Sequence, residues 1–238
     1  MLFYYIRHGD PIYDPDSLTP LGHRQAEALA KRLALYGVDE IYSSTSTRAR
    51  QTAQPTSELV KKEVKLLDFA NEGHAWNELT ATVNGGKRWL FQSPDHKRLF
   101  TEDEVRALGH RWYEHPAFAG YDYKRGMERI LKASDEFFLS LGYEHVGRSG
   151  RYKIIKGSDR RVAMFAHQGF GLAFLSTLLD IPYTDFSIKF DFTHTGMTVI
   201  NFADEGDGYA IPKVLSLSLD SHIYREGLPT KYSNTIPF

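Results

Sequence analysis

The sequence predicts an α/β fold: a three-layer α/β/α sandwich with a mostly parallel central sheet and a helical cap insertion. Three observations carry this. Short runs rich in β-branched and aromatic residues stop abruptly at loops, as buried strands do. Segments with helical spacing follow them. Between two such halves lies a stretch of different character, residues 85–150, which carries aromatics, Gly and Pro. Residues 1–238 are therefore assigned to one domain, with 85–150 as a helical cap over the site.

Residues 2–6, Leu-Phe-Tyr-Tyr-Ile, form a buried strand that ends at Arg7-His8-Gly9-Asp10-Pro11. Thr19 then caps a helix with Pro20 at its first position. Ala26, Leu29, Ala30 and Leu33 recur at helical spacing as far as Tyr36-Gly37. A second unit follows, with a strand over 38–42, a hydroxyl-rich loop over 43–47, and a helix from about Arg48 that Pro55 must kink or shorten. The cap carries helices over 102–113 and 127–141. Gly157-Ser158-Asp159 reads as a hairpin turn joining a short strand at 153–155 to a buried strand at 161–166. His167-Gln168-Gly169 is the exit loop of that strand, a helix covers 172–179, and 197–200 is a further strand.

The composition narrows the chemistry. The 238 residues are 42% hydrophobic and 25% charged, as in an ordinary globular protein. No cysteine is present, which excludes disulfides, a thiolate nucleophile, cysteine-held zinc and iron–sulfur clusters, and fits a reducing compartment. Lys and Arg total 29 against 30 acids, so no global field exists to hold a nucleic acid or an anionic membrane. The six apolar residues before Arg7 are too short for a secretion signal. Residues 162–179 lack charge, but His167, Gln168, Gly169 and Gly171 interrupt them, so they read as strand, turn and helix rather than a membrane span. The expectation is a cytoplasmic protein.

In open parallel sheets ligands bind beyond the carboxyl ends of the strands, so the exit loops converge there. Those loops hold Arg7, His8, Arg48 and His167. Together they make a local anion trap inside a nearly neutral protein, and guanidinium forks match phosphate oxygens. The helix near Arg48 adds its positive end to the same trap. The expected ligand is a phosphate, and the expected partner a small phosphorylated substrate.

Taken alone, an Arg-His-Gly tripeptide is an ordinary turn. The combination says more. Arg7-His8-Gly9 follows an amino-terminal strand, Ser43-Ser44 precedes Arg48-Ala49-Arg50-Gln51-Thr52-Ala53, and Phe165-Ala166-His167 precedes a glycine turn. In order and approximate spacing these resemble the histidine phosphatase superfamily, the clan of phosphoglycerate mutases and their phosphatase relatives. Leu18-Thr19-Pro20-Leu21-Gly22, Gln25-Ala26 and Thr195-Gly196-Met197-Thr198-Val199 extend the resemblance over the chain outside the cap.

The resemblance implies phosphoryl transfer through a covalent phosphohistidine on His8, with no metal and no cofactor. Arg7, Arg48 and His167 clamp the phosphoryl oxygens, and Gly9 and Gln168 join the phosphate and substrate contacts. An imidazole attacks phosphorus only when one nitrogen is unprotonated and the other is held by a hydrogen bond. Members of the family draw the leaving-group proton either from an acid directly after the second histidine, where this chain has Gln168, or from the loop after the second unit. The second option points to Glu72 in Phe69-Ala70-Asn71-Glu72-Gly73-His74, with Glu78 and Asp68 as rivals.

Two departures weigh against a mutase. Mutases carry an Asn near the phosphate, whereas Asp10-Pro11-Ile12-Tyr13-Asp14 places an acid there, and a carboxylate facing phosphate is unfavourable. The cap lacks the run expected for phosphoglycerate. His110 and His115 are five apart, not the i, i+4 pair favoured by zinc. The run Arg148, Arg151, Lys153, Lys156, Arg160 and Arg161 reads as a solvated basic edge. Trp76, Trp89, Trp112 and Tyr113 are either cap core or substrate contacts. The expected function is a metal-independent phosphatase; the alternatives are a phosphomutase and a non-catalytic phospho-ligand or protein-binding module.

Overall fold

The computed structural model describes residues 1–204 and 206–232. Its centre is a six-stranded sheet in the order Lys213–Leu219, Met197–Asn201, Leu2–Arg7, Arg161–Ala166, Glu40–Ser44, Val64–Leu67. Met197–Asn201 runs antiparallel to both neighbours, and the other pairings are parallel. Leu2–Arg7 and Arg161–Ala166 lie at the middle, which is why both read as unbroken apolar runs.

Alternation along the first strand divides the core. Phe3 and Tyr5 face one side, into a cluster with Tyr42, Phe137, Phe138, Met164, Phe170 and Phe174. Tyr4 and Ile6 face the other, against Leu29, Leu33, Ile41 and Ala53. The helices Pro20–Tyr36 and Thr47–Val60 cover the second side, and Tyr123–Ser140 with Gln168–Leu178 cover the first. This is the three-layer sandwich expected.

The first helix begins as its sequence demands. The Thr19 side chain accepts from the Gly22 N–H, Pro20 sits in the first turn, and the helix stops at Gly37, whose φ is +80°. Backbones also meet here without side chains between them. A Cβ on Gly9 would lie 2.7 Å from the Gly22 carbonyl oxygen, and one on Gly22 would lie 2.3 Å from that of Asp10. Glycine at both positions lets the His8 loop rest on the helix.

Several expectations change. The second helix runs through Pro55 to Val60 without being shortened. Gly157-Ser158-Asp159 makes no hairpin between the strands it links. Arg161–Ala166 already has a parallel neighbour on each edge, so Tyr152–Ile154 pairs instead with Tyr143–His145 and Tyr209–Ala210. The helix expected over 102–113 breaks into Asp103–Ala107 and a 3-10 turn Gly109–Glu114, because Gly109 takes a φ of +54°.

The stretch 85–150 has two environments. Tyr123–Ser140 is a layer helix, with the Phe137 and Phe138 rings 6.1 and 5.2 Å from that of Phe3. Trp112 is fully buried among Phe100, Phe118, Tyr123 and Tyr183. Only Trp89 and Gln92 from this stretch reach the principal cavity. Of the basic run, Arg148, Arg151 and Arg160 pair with Asp180, Asp207 and Glu40. Among the described residues no helix is long and apolar enough to cross a membrane.

Candidate active site

A cavity of about 690 Å³ opens beyond the carboxyl ends of the central strands and is lined by Arg7, His8, Arg48 and Glu72 among others. The strand ends are pinned before any side chain is considered. The His8 N–H donates to the Ala166 carbonyl at 3.0 Å, and the Thr195 N–H reaches the carbonyls of Arg7 and His8 at 3.1 and 3.2 Å. Thr195 holds a φ of +56° to do so.

His8 is buried, and its Nδ1 lies 2.7 Å from the carbonyl oxygen of Gly9. An acceptor there fixes the hydrogen on Nδ1 and leaves the lone pair on Nε2. Burial, then His167, Arg7 and Arg48, hold the His8 pKa well below the ordinary histidine value, so the ring is neutral. Both backbone polar groups of Gly9 are engaged, because its N–H donates to Thr52 Oγ1 at 3.0 Å. Gly9 thus orients His8 through its carbonyl, and its N–H is held by Thr52.

Arg7 is anchored by the Phe192 carbonyl and lies 3.0 Å from His194 Nε2, with its Nε buried and unpaired. Arg48 stands in the first turn of its helix. Its Nη1 donates to Asp16 Oδ1 at 2.7 Å, and Asp16 Oδ2 accepts from the Thr47 N–H at 2.7 Å. The carboxylate of Asp16 thus sits on the helix end expected to serve the ligand. Sequence reasoning missed both His194 and Asp16. Burial and Arg7 lower the His194 pKa to about 3, so this ring is neutral beside the guanidinium.

His167 is fully buried and does not line the cavity. Its Nδ1 lies 3.1 Å from Arg48 Nη2, and its Nε2 is 2.8 Å from Ser44 Oγ and 3.1 Å from Ser46 Oγ. It lies against Arg48 and Glu72, with its ring centroid 5.2 Å from that of His8. Burial, then Arg48 and Arg7, lower its pKa well below the usual value. Gln168 lines the cavity with its amide hydrogen-bonded to Asp191.

The three acids separate by position. Glu72 opens the helix Glu72–Glu78, capped by Asn71, and its Oε1 accepts from the Phe170 N–H at 2.9 Å. Its Oε2 lies 3.3 Å from His167 Nδ1 and 4.0 Å from Arg48 Nη2. Burial raises its pKa to about 7, against the Phe170 N–H, the two guanidiniums and the Gly169 N–H, which lower it. Glu78 is buried against Arg129, with Oε2 accepting at 2.7 Å. Asp68 is 78% exposed beside His74. Neither lines the cavity. The acid that ends the Asp10–Asp14 segment does not line the cavity: Asp14 is exposed, Asp10 accepts from Thr19 Oγ1 at 2.8 Å and lies 3.4 Å from His194 Nδ1, and Tyr13 takes the cavity wall.

Among the described residues, His8, Glu72 and His167 offer ligand atoms within 4.8 Å of one another, the spacing of a metal site. Arg48 lies against two of these three groups, and a divalent cation would have to displace that guanidinium. The donor set suits an anion better.

The model for the histidine phosphatase superfamily, branch 1, matches residues 3–115. No curated protein sequence matches the chain. A phosphoserine phosphatase from Entamoeba histolytica, solved with 3-phosphoglyceric acid, is 20% identical, with 93% of this chain and 98% of that one covered and a TM-score of 0.60. The native mycobacterial glucosyl-3-phosphoglycerate phosphatase is 18% identical, with 92% and 98% covered and a TM-score of 0.61. At these identities the likeness is one of fold. By sequence over residues 3–115 the chain is similar to the histidine phosphatase superfamily, branch 1, and by fold over nearly its whole length it is similar to phosphatases of known structure.

Proposed function

We propose that the protein is a metal-independent phosphatase that hydrolyses a small phosphomonoester through a covalent phosphohistidine on His8. One observation carries the reading: a neutral, buried His8 has its Nδ1 fastened to the Gly9 carbonyl while Nε2 is left for the cavity. The family match and the phosphatases that share the fold support it.

In the first step the Nε2 lone pair attacks phosphorus and the ester P–O bond breaks. The ring becomes cationic, and the Gly9 carbonyl stabilises that charge through Nδ1–H. Arg7 and Arg48 hold the oxygens of the transferring group, where most of the charge is carried. Glu72 gives its proton to the leaving oxygen. In the second step Glu72, now ionised, takes a proton from water; the oxygen attacks phosphorus, the P–N bond breaks, and phosphate leaves with His8 neutral again. His167 acts through its neighbours, holding Arg48 and the Glu72 carboxyl in place. Residues 1–238 would form one domain, and the absence of cysteine fits a cytoplasmic setting.

The test is a panel of phosphomonoesters without added metal and with chelator present. Phosphate release is the expected result. Isomerised product without release would make the protein a mutase, and binding without either reaction would make it a phospho-ligand module.

A further inference from the structure

We propose that the leaving group taken by this site is uncharged and lays an apolar or aromatic ring face against Trp89. The inference rests on the phosphatase reading for the position of the phosphate and goes beyond it in naming the alcohol.

The argument begins at Gly169. A Cβ there would lie 2.5 Å from Trp89 Cη2 and 2.7 Å from Glu72 Oε1, so the indole edge and the acid flank one point. The oxygen that receives the Glu72 proton carries the rest of the alcohol. Oε1 accepts from the Phe170 N–H, so the proton leaves from Oε2 of the same carboxyl, and the alcohol that receives it starts within a carboxyl's width of the point that Trp89 flanks. The indole is held in place, stacked on Phe91 at 5.7 Å and edge-on to Trp76 at 5.0 Å. Trp76 and Gln92 also line the cavity, Tyr13 lines it over the Arg48 guanidinium, and Thr45, Ser46 and Asn71 add neutral polar groups. Rigid aromatic walls of this kind bind flat apolar groups and the C–H faces of rings.

Charge points the same way. The cations among the described lining residues are Arg7 and Arg48, and Arg48 already shares its charge with Asp16 at 2.7 Å. A phosphomonoester dianion consumes what remains. Lys87 Nζ sits over the Trp76 ring, 5.7 Å from its centroid, beside Asn77, and neither it nor Lys231, whose charge acts on His194, lines the cavity. A carboxylate or second phosphate on the alcohol would be desolvated there without a partner.

Three alkyl esters isolate the alcohol: benzyl phosphate, ethyl phosphate and phosphoglycolate. We expect kcat/KM for benzyl phosphate at least ~10-fold above ethyl phosphate, the scale of one good aromatic contact with its burial. Phosphoglycolate should fall at least ~10-fold below ethyl phosphate, the effect of an unpaired charge. Trp89→Leu should collapse the benzyl-to-ethyl ratio through KM, and Trp89→Phe should restore it. Binding of 2-phenylethylphosphonate, propylphosphonate and 3-phosphonopropionate, read by calorimetry on the unaltered protein, should follow the same order. Equal values for benzyl and ethyl, phosphoglycolate at or above ethyl, or a ratio indifferent to Trp89→Leu would overturn the proposal while leaving the phosphatase standing. If no ester, p-nitrophenyl phosphate included, releases phosphate, the phosphatase reading falls and the phosphonate order alone decides this one. A flat or reversed order rejects it.

Discussion

Glu72 Oε2 and His167 Nδ1 lie 3.3 Å apart, and the same nitrogen is 3.1 Å from Arg48 Nη2. A guanidinium only donates, so Nδ1 is an acceptor and the imidazole hydrogen sits on Nε2, toward Ser44 Oγ at 2.8 Å. A carboxylate facing that lone pair would be repelled, whereas a carboxylic acid can donate to it. With its pKa raised to about 7, Glu72 carries its proton in a large share of molecules at neutral pH and in most of them below it.

Glu72→Gln tests this. The variant keeps an oxygen for the Phe170 N–H and loses only the proton. Turnover of an alkyl phosphate should fall by roughly 10²- to 10⁴-fold, the usual worth of a positioned acid, and that of p-nitrophenyl phosphate much less. The acid is competent below its pKa, so wild-type kcat/KM should decline as pH rises through about 7, and the variant should lack that limb. Equal losses on both substrates would make Glu72 a binding residue.

His8→Ala should abolish turnover, by ~10³-fold or more, while leaving the fold intact, because the lost group is a nucleophile in an exit loop. Circular dichroism reads the fold, and an alkaline quench with labelled substrate should show acid-labile phosphate on His8 of the parent protein. Activity within tenfold of the parent would remove the covalent mechanism.

Much of this was legible in the chain because strands that end abruptly announce their exit loops. Arg7, His8 and Arg48 sit at such ends, and the fold delivers them to one cavity. His194 and Asp16 gave no such signal. His194 lies in irregular chain before the strand Met197–Asn201, and only folding sets it against Arg7. Asp16 belongs to a small hairpin, and its role is to hold Arg48 across 32 positions of sequence. The Gly157 turn has the same character: turn chemistry shows that the chain bends and not which strand lies opposite. Asn84-Gly85, with φ of +51° and +77°, turns the hairpin between Thr80–Val83 and Gly86–Trp89.

Away from the site, His145 is buried with Nδ1 at 2.8 Å from Asp135 and Nε2 at 2.9 Å from Asp180. Burial lowers its pKa, but the two aspartates outweigh that and raise it to about 9. A histidine with a raised folded pKa contributes stability in full below about 6.5 and loses it as pH climbs through about 9. The loss should be on the order of 1–2 kcal/mol between those limits, because solvent around the 41% exposed Asp135 screens part of the interaction, and it is read by urea unfolding across the range. Asp180→Asn suits the test because asparagine tolerates the φ of +49° found there, and it should flatten the alkaline slope. An unchanged slope would mean that His145 is not the titrating group.

Gly169→Ala probes the point where Glu72 and Trp89 meet. The added methyl would fall 2.5 Å from Trp89 Cη2 and 2.7 Å from Glu72 Oε1, both inside any real contact, so one or both must move. Gly169 lies in the first turn of the helix Gln168–Leu178, and alanine favours a helix, so the backbone itself accepts the change. The effect should therefore appear in kinetics before it appears in stability. A shift of about 1 Å in the acid is worth roughly 10²-fold, and the loss should be larger on alkyl phosphates than on p-nitrophenyl phosphate, matching Glu72→Gln in kind. It should also move the alkaline limb, because a displaced carboxyl no longer has the burial that raised its pKa to about 7. Unchanged kinetics at unchanged stability would show that the indole alone yields and that the acid is held by the Phe170 N–H.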